Sequence, residues 1–145
     1  MKFSSIKGVI EFCNDLCSSP DWREVVGYIE SNDDDFEVDN VRFIKDDAID
    51  KIQQEEMEND LYILGCFNAW FIADCIGIDT DVIAAMQKAE AFEAIGKRII
   101  SMGKIEEMQA AYASSDGYGH HFNSYDGIDE EIDIEGVTYH VFDNR

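Results

Sequence analysis

Thirty-two acidic side chains stand against eleven basic ones in this 145-residue chain, a formal net charge of -21. A soluble domain of this size needs a charge of only about 2 to 8 in magnitude. Like charges in such excess repel one another and weaken any compact state, so the acids must spread over solvated faces. The fold must then close round an apolar interior that excludes them. The sequence supplies one, because 46% of the residues are hydrophobic and 12% aromatic. Disordered acidic tails lack that content. The chain length suits a single domain over residues 1–145.

The sign of the charge restricts the partners. Proteins that bind nucleic acid directly present Lys and Arg to the phosphates. This chain presents the opposite field and no basic cluster, which excludes direct binding to nucleic acid or to an anionic membrane. A basic protein surface is the complementary partner. The segment Met1 to Ile10 shows no long apolar run and no small-residue cleavage site, which predicts no secretory signal and a cytoplasmic location. Cys13, Cys17, Cys66 and Cys75 form no CxxC pair, so free buried thiols are expected.

Apolar spacing predicts helices over Ser4 to Cys17, with Ile6, Val9, Ile10, Cys13, Leu16 and Cys17 inward, and over Trp22 to Ile29 after Ser19-Pro20-Asp21. Ser31 to Asn40 reads as an acidic loop, and Val41 to Ile44 as a short strand or a turn. A third helix is expected over Asp46 to Asn59. Leu61 to Ile78 is apolar nearly all round and reads as a central buried helix. Its acidic flanks, with Asn68 and Asp74 inside it, argue against a membrane span. A long helix is expected from Asp81 to Met102, ended by Gly103, then a short one over Lys104 to Ala113. The end reads as a hairpin, Glu131 to Ile134 and Val137 to Phe142, turning at Glu135-Gly136. The class is mainly α, a helical bundle round a central apolar helix, with a small C-terminal β-hairpin (α+β).

Charge is concentrated in two blocks. Residues 21–60 hold fifteen acids and four bases, and residues 116–145 hold eight acids and one base. In the first block the candidate partner-binding residues are Asp33, Asp34, Asp35, Asp46, Asp47, Asp50, Glu55, Glu56 and Glu58. In the second they are Asp129, Glu131, Asp133 and Glu135, which alternate along the expected strand and so share one face. Alternate strand residues advance about 6.6 Å, close to two phosphate steps of about 3.4 Å along one DNA strand. The bland reading of the same stripe is the solvated face of an amphipathic hairpin.

Other constellations specify little. His120-His121, with Asp116 and Asp126 near in sequence, lacks metal-ligand spacing and reads as a loop packed by Tyr118, Phe122 and Tyr125. Gly117 and Gly119 are not followed by Lys-Ser/Thr, so no P-loop is present, and no GxSxG occurs. No catalytic residue, metal site or cofactor is expected, and the chain reads as a non-enzyme. Exposed aromatics in residues 118–125 would suit pairing of two copies into a homodimer.

The segments Asp60–Asp74 (DLYILGCFNAWFIAD), Gln87–Ala94 (QKAEAFEA), Asp116–Phe122 (DGYGHHF) and Tyr125–Gly127 resemble small acidic proteins of phages and mobile elements. That group includes anti-restriction and anti-CRISPR proteins that mimic DNA. The resemblance covers about the last 90 residues and rests on style without a defined motif. It implies an inhibitor that occupies the basic nucleic-acid groove of a host defence nuclease, acts in the host cytoplasm and has no catalytic residues. The C-terminal hairpin and the apolar centre depart from that group. The competing reading is an immunity or antitoxin protein that plugs a basic nuclease toxin.

Overall fold

Two tight turns organise the strands. Asp39-Asn40 takes left-handed backbone at φ 50° and 68°, and Glu135-Gly136 does so at φ 53° and 84°. Asp, Asn and Gly tolerate this conformation better than other residues, and two-residue turns of this hand match the twist of the strands they join. The first turn closes β1 (Asp35–Val38) on β2 (Val41–Lys45), and the second closes β3 (Glu130–Ile134) on β4 (Val137–Asp143). β4 then pairs with β2, giving an antiparallel sheet in the order β1-β2-β4-β3. The computed structural model describes residues 3–145, with side chains from residue 7 onward. Ile6, expected on an apolar helix face, lies outside the described side chains.

The described chain is 56% helical and contains eight helices and this sheet. The mainly helical α+β class expected from the sequence is therefore what the chain adopts. The C-terminal hairpin forms as expected, but as half of a larger sheet. The other half is β2, at the segment expected as a short strand or a turn, and β1, which forms inside the expected acidic loop because Phe36 and Val38 alternate with Asp35 and Glu37 and point inward.

The chain divides into two compact units, Met1–Ile49 with Asp116–Arg145, and Asp50–Ser115. In the first, α1 (Phe3–Asp15) and α2 (Trp22–Glu30) cover one face of the sheet. Val9, Cys13, Val25 and Val26 pack there against Phe36, Phe43, Tyr139 and Val141. Asp21 caps α2 by accepting from the Arg23 N–H at 3.0 Å, so Pro20 precedes the cap and does not open the helix. The other sheet face meets the last turns of α8 (Ile105–Phe122), which break direction at Gly117 (φ 75°, ψ 167°). There Phe122 lies 5.2 Å from Phe142, and the Arg42 guanidinium stacks on Phe122 at 5.0 Å.

The second unit contains most of α3 (Ile49–Glu58), then α4 (Leu61–Gly65), α5 (Ala69–Ile76), α6 (Thr80–Lys88), α7 (Phe92–Ser101) and the start of α8. Leu64, Ile72, Ile76, Ile83, Ile95, Ile99 and Met108 form its core. The expected central helix is here two helices, because Asn68 accepts from the Trp70 N–H at 3.1 Å and starts α5 afresh. The expected long helix is also two, broken where Glu90 takes φ 60°. Among the described residues no helix is long and apolar enough to cross a membrane.

Candidate functional site

The hairpin register fixes what faces what on the sheet face that the end of α8 covers. Ile134 pairs with Val137, so Asp133 stands opposite Thr138 and Glu131 opposite His140. Across β4 and β2, His140 pairs with Ile44, and across β2 and β1, Ile44 pairs with Asp35. Residues directly opposite in a ladder share a face. Asp35 and Glu37 on one edge strand therefore look the same way as Glu131 and Asp133 on the other. Three strand spacings separate the two edges, about 14 Å.

His140 lies on this face beneath Tyr118 of α8, with its side chain 2% exposed. Its Nδ1 lies 2.9 Å and 3.0 Å from the two Asp129 carboxylate oxygens. The Glu131 carboxylate stands 3.7 Å from the same nitrogen. On the opposite side of the ring, Nε2 donates to Asp46 Oδ1 at 2.7 Å. The Tyr118 ring meets the imidazole edge-on at 5.2 Å, and Phe142 stacks parallel to it at 6.4 Å. Burial of the ring opposes its protonation. The hydrogen bonds to Asp129 and Asp46, with the charges of Asp129 and Glu131, overcome that cost and push the pKa up to about 9. At neutral pH the ring is a cation that ties the turn after β2 to the start of β3.

Several sequence-predicted acids are thus bound into the fold. Asp35 receives two hydrogen bonds from the Arg42 guanidinium, at 2.9 Å and 2.7 Å. Asp34 lies 3.3 Å from the Nζ of buried Lys45. Asp50 accepts from the Gln109 amide at 2.9 Å. Asp46, Asp129 and Glu131 surround His140. Asp47, Glu55, Glu58 and Asp133 are exposed, and Asp33 and Glu56 are half-buried. The expected row of four carboxylates is shorter than the alternation implies. Glu131 and Asp133 belong to it, Asp129 turns toward His140, and Glu135 leaves it at the positive φ of the turn. The first unit holds Asp33 to Asp35, Asp46, Asp47 and the four C-terminal acids. The second holds Asp50, Glu55, Glu56 and Glu58.

Other expectations resolve as follows. His121 lies edge-on to Phe122 at 4.6 Å and His120 is exposed; Tyr118 and Phe122 are packing residues of the first unit, and Tyr125 is 59% exposed. Among the described residues, the His/Asp/Glu ligand group lies at Asp129, Glu131 and His140 and involves neither His120 nor His121. The four cysteines are free thiols, with Cys13 buried but Cys17 and Cys66 exposed, since α1 ends at Asp15 and leaves Cys17 outside it.

His140 is the residue that sequence reasoning passed over. The signal was present, because a two-residue turn at Glu135-Gly136 sets Glu131 opposite His140 by counting outward. No family model, curated protein or solved structure matches this chain.

Proposed function

We propose that this protein is an acidic inhibitor that acts in the cytoplasm by occupying the basic nucleic-acid groove of a nuclease of the restriction or CRISPR type. The observation that supports this reading is the pair of carboxylate-bearing edge strands on one sheet face. Asp35 and Glu37 lie on β1, and Glu131 and Asp133 on β3. Within each row the acids advance about 6.6 Å, near two phosphate steps, and the rows stand about 14 Å apart. The rigid sheet holds one row on each side of the α8 end that packs on the central strands, without the entropy loss of ordering a flexible acidic tail. The remaining charge of the chain steers a basic partner toward this face over distances of about a Debye length, 8 Å at physiological salt.

The test is competition with DNA. Immobilised protein is loaded with lysate at low salt, and bound proteins are challenged with duplex DNA and, separately, with rising salt. A groove-binding inhibitor releases its target to duplex DNA, and the purified target loses cleavage activity when the protein is added. Captured nucleases that stay bound under excess DNA, with their active sites still blocked, would overturn the groove reading and favour an immunity protein.

A further inference from the structure

We propose that Asp129, Glu131 and His140 form a binding site for one divalent transition-metal ion of the zinc or manganese kind, held by the imidazole Nδ1 and the two carboxylates. Two of the three residues come from adjacent strands in register and the third from the approach to β3. Glu131 is the direct partner of His140, and Asp129 lies two residues earlier, just before β3. One ligand atom from each falls within 4.8 Å of the others. Bonds of about 2.1 Å to a shared ion place ligand atoms roughly 3.0–3.5 Å apart. Nδ1 stands 2.9 Å from Asp129 and 3.7 Å from Glu131, and the two carboxylates, within 4.8 Å of each other, would draw together round an ion as the exposed Glu131 side chain moves in.

A second observation lies on the far side of the ring. Ligating histidines donate their other N–H to a carboxylate, which fixes the tautomer and aims the free nitrogen at the metal. Asp46, on a different element, accepts the Nε2–H at 2.7 Å and so turns Nδ1 toward Asp129 and Glu131. Tyr118 and Phe142 hold the ring plane. The Glu131 side chain is 58% exposed, which leaves a path for the ion and open positions for water. One imidazole and two carboxylates with no thiolate suit zinc, manganese or ferrous iron over softer ions, and two carboxylates balance the 2+ charge. The proton that Nδ1 otherwise carries is released when the metal binds.

A chain with a net charge of -21 gathers divalent cations loosely over its whole surface, so the readout must be the ring itself. Long-range proton–nitrogen spectra of the labelled full chain are recorded while zinc is added in 150 mM salt, roughly physiological screening. The expected result is a shift of the His140 Nδ1 resonance that saturates at one equivalent, with His120 and His121 unmoved. Glu131→Gln should weaken the effect by about tenfold or more and remain folded, since Glu131 is mostly exposed. Asp46→Asn should weaken it by about 10- to 100-fold. His140 resonances unmoved at a tenfold excess of zinc would overturn the proposal. So would a shift that persists in Glu131→Gln, because it would report only the diffuse cation atmosphere.

Discussion

His140 shows how one side chain can reverse the ordinary consequence of burial. An isolated buried imidazole prefers to be neutral, yet three carboxylates make the charged form the stable one here. An unfolded chain protonates this ring near pH 6.5, and the folded chain near about 9. The folded state therefore gains stability that is fully present below pH 6.5 and fades as pH rises through 9. The full gain is on the order of 3 kcal/mol. With chelator present, urea unfolding should show stability falling between pH 6.5 and 9.5, and His140→Gln should lose most of that slope. Equal slopes in both proteins would refute the assignment. At Cys13 burial, with the charge of Asp21 adding to it, pushes the thiol up to about 11. A thiol reagent at pH 8 should modify exposed Cys17 and Cys66 quickly and reach Cys13 only on unfolding. Rapid labelling of Cys13 in the native protein would contradict its packing between α1 and the sheet. At this scale the sequence showed where the acids lie along the chain but not which of them the fold binds, and it was misleading for the histidines. The adjacent pair at 120–121 draws the eye, whereas the single ring at 140 gains its meaning from strand register.

Elements were legible where a signal was local. The two N-terminal helices, the mainly helical class and the Glu135-Gly136 hairpin follow from spacing and turn chemistry, whereas the last helix runs on past the expected Ala113 to Phe122 through the kink at Gly117. Breaks within apolar stretches were less so. Leu61 to Ile78 and Asp81 to Met102 have continuous helical patterning, but each is cut by a single residue: Asn68 by capping and Glu90 by its left-handed backbone. The reason for the shorter helices is the way α4 and α7 cross. A side chain at Gly65 would strike the Phe92 backbone, and one at Gly96 would strike the Leu61 backbone. The two glycines thus let the helices approach backbone to backbone, each fitting under the first turn of the other. Such an approach needs short, separately oriented helices. Gly65→Ala and Gly96→Ala should each cost about 3 kcal/mol or more, since the obstacle is main chain that cannot swing aside. Gly8→Ala is the control, because nothing lies within 4 Å of its added methyl, and helix propensity favours alanine. Melting curves decide the matter, and the crossing is wrong if the three variants melt together.

At the scale of the molecule the question is what the net charge acts on. Self-repulsion predicts that removing carboxylates stabilises the fold, but that holds only for acids the fold does not use. Asp35, Asp46 and Asp129 are each bonded to a cation, and His140 depends on two of them. Asp47, Glu55, Glu58 and Asp133 are exposed acids for which solvent is the main surrounding. Neutralising the exposed four together, to Asn or Gln, should hold or raise the melting temperature by a few degrees, and more at low salt than at high. Neutralising the bonded three should lower it, because each lost charge-assisted hydrogen bond removes about 1 kcal/mol or more of stability. The two sets carry similar charge, so a purely electrostatic solubility role predicts the same sign for both. If the acidic surface serves to engage a basic groove, the exposed set should also slow association with the partner and flatten its salt dependence, with dissociation changed less. Single substitutions within that set should do little, because exposed charges contribute only ~0 to 1 kcal/mol each. Stopped-flow association at two salt concentrations, beside a melting curve for each set, separates these effects. Unchanged association both in the exposed set and in a set that neutralises Glu37, Glu131 and Asp133 on the edge strands would remove the inhibitor reading. A fall in melting temperature in that set would show that these acids, too, belong to the fold.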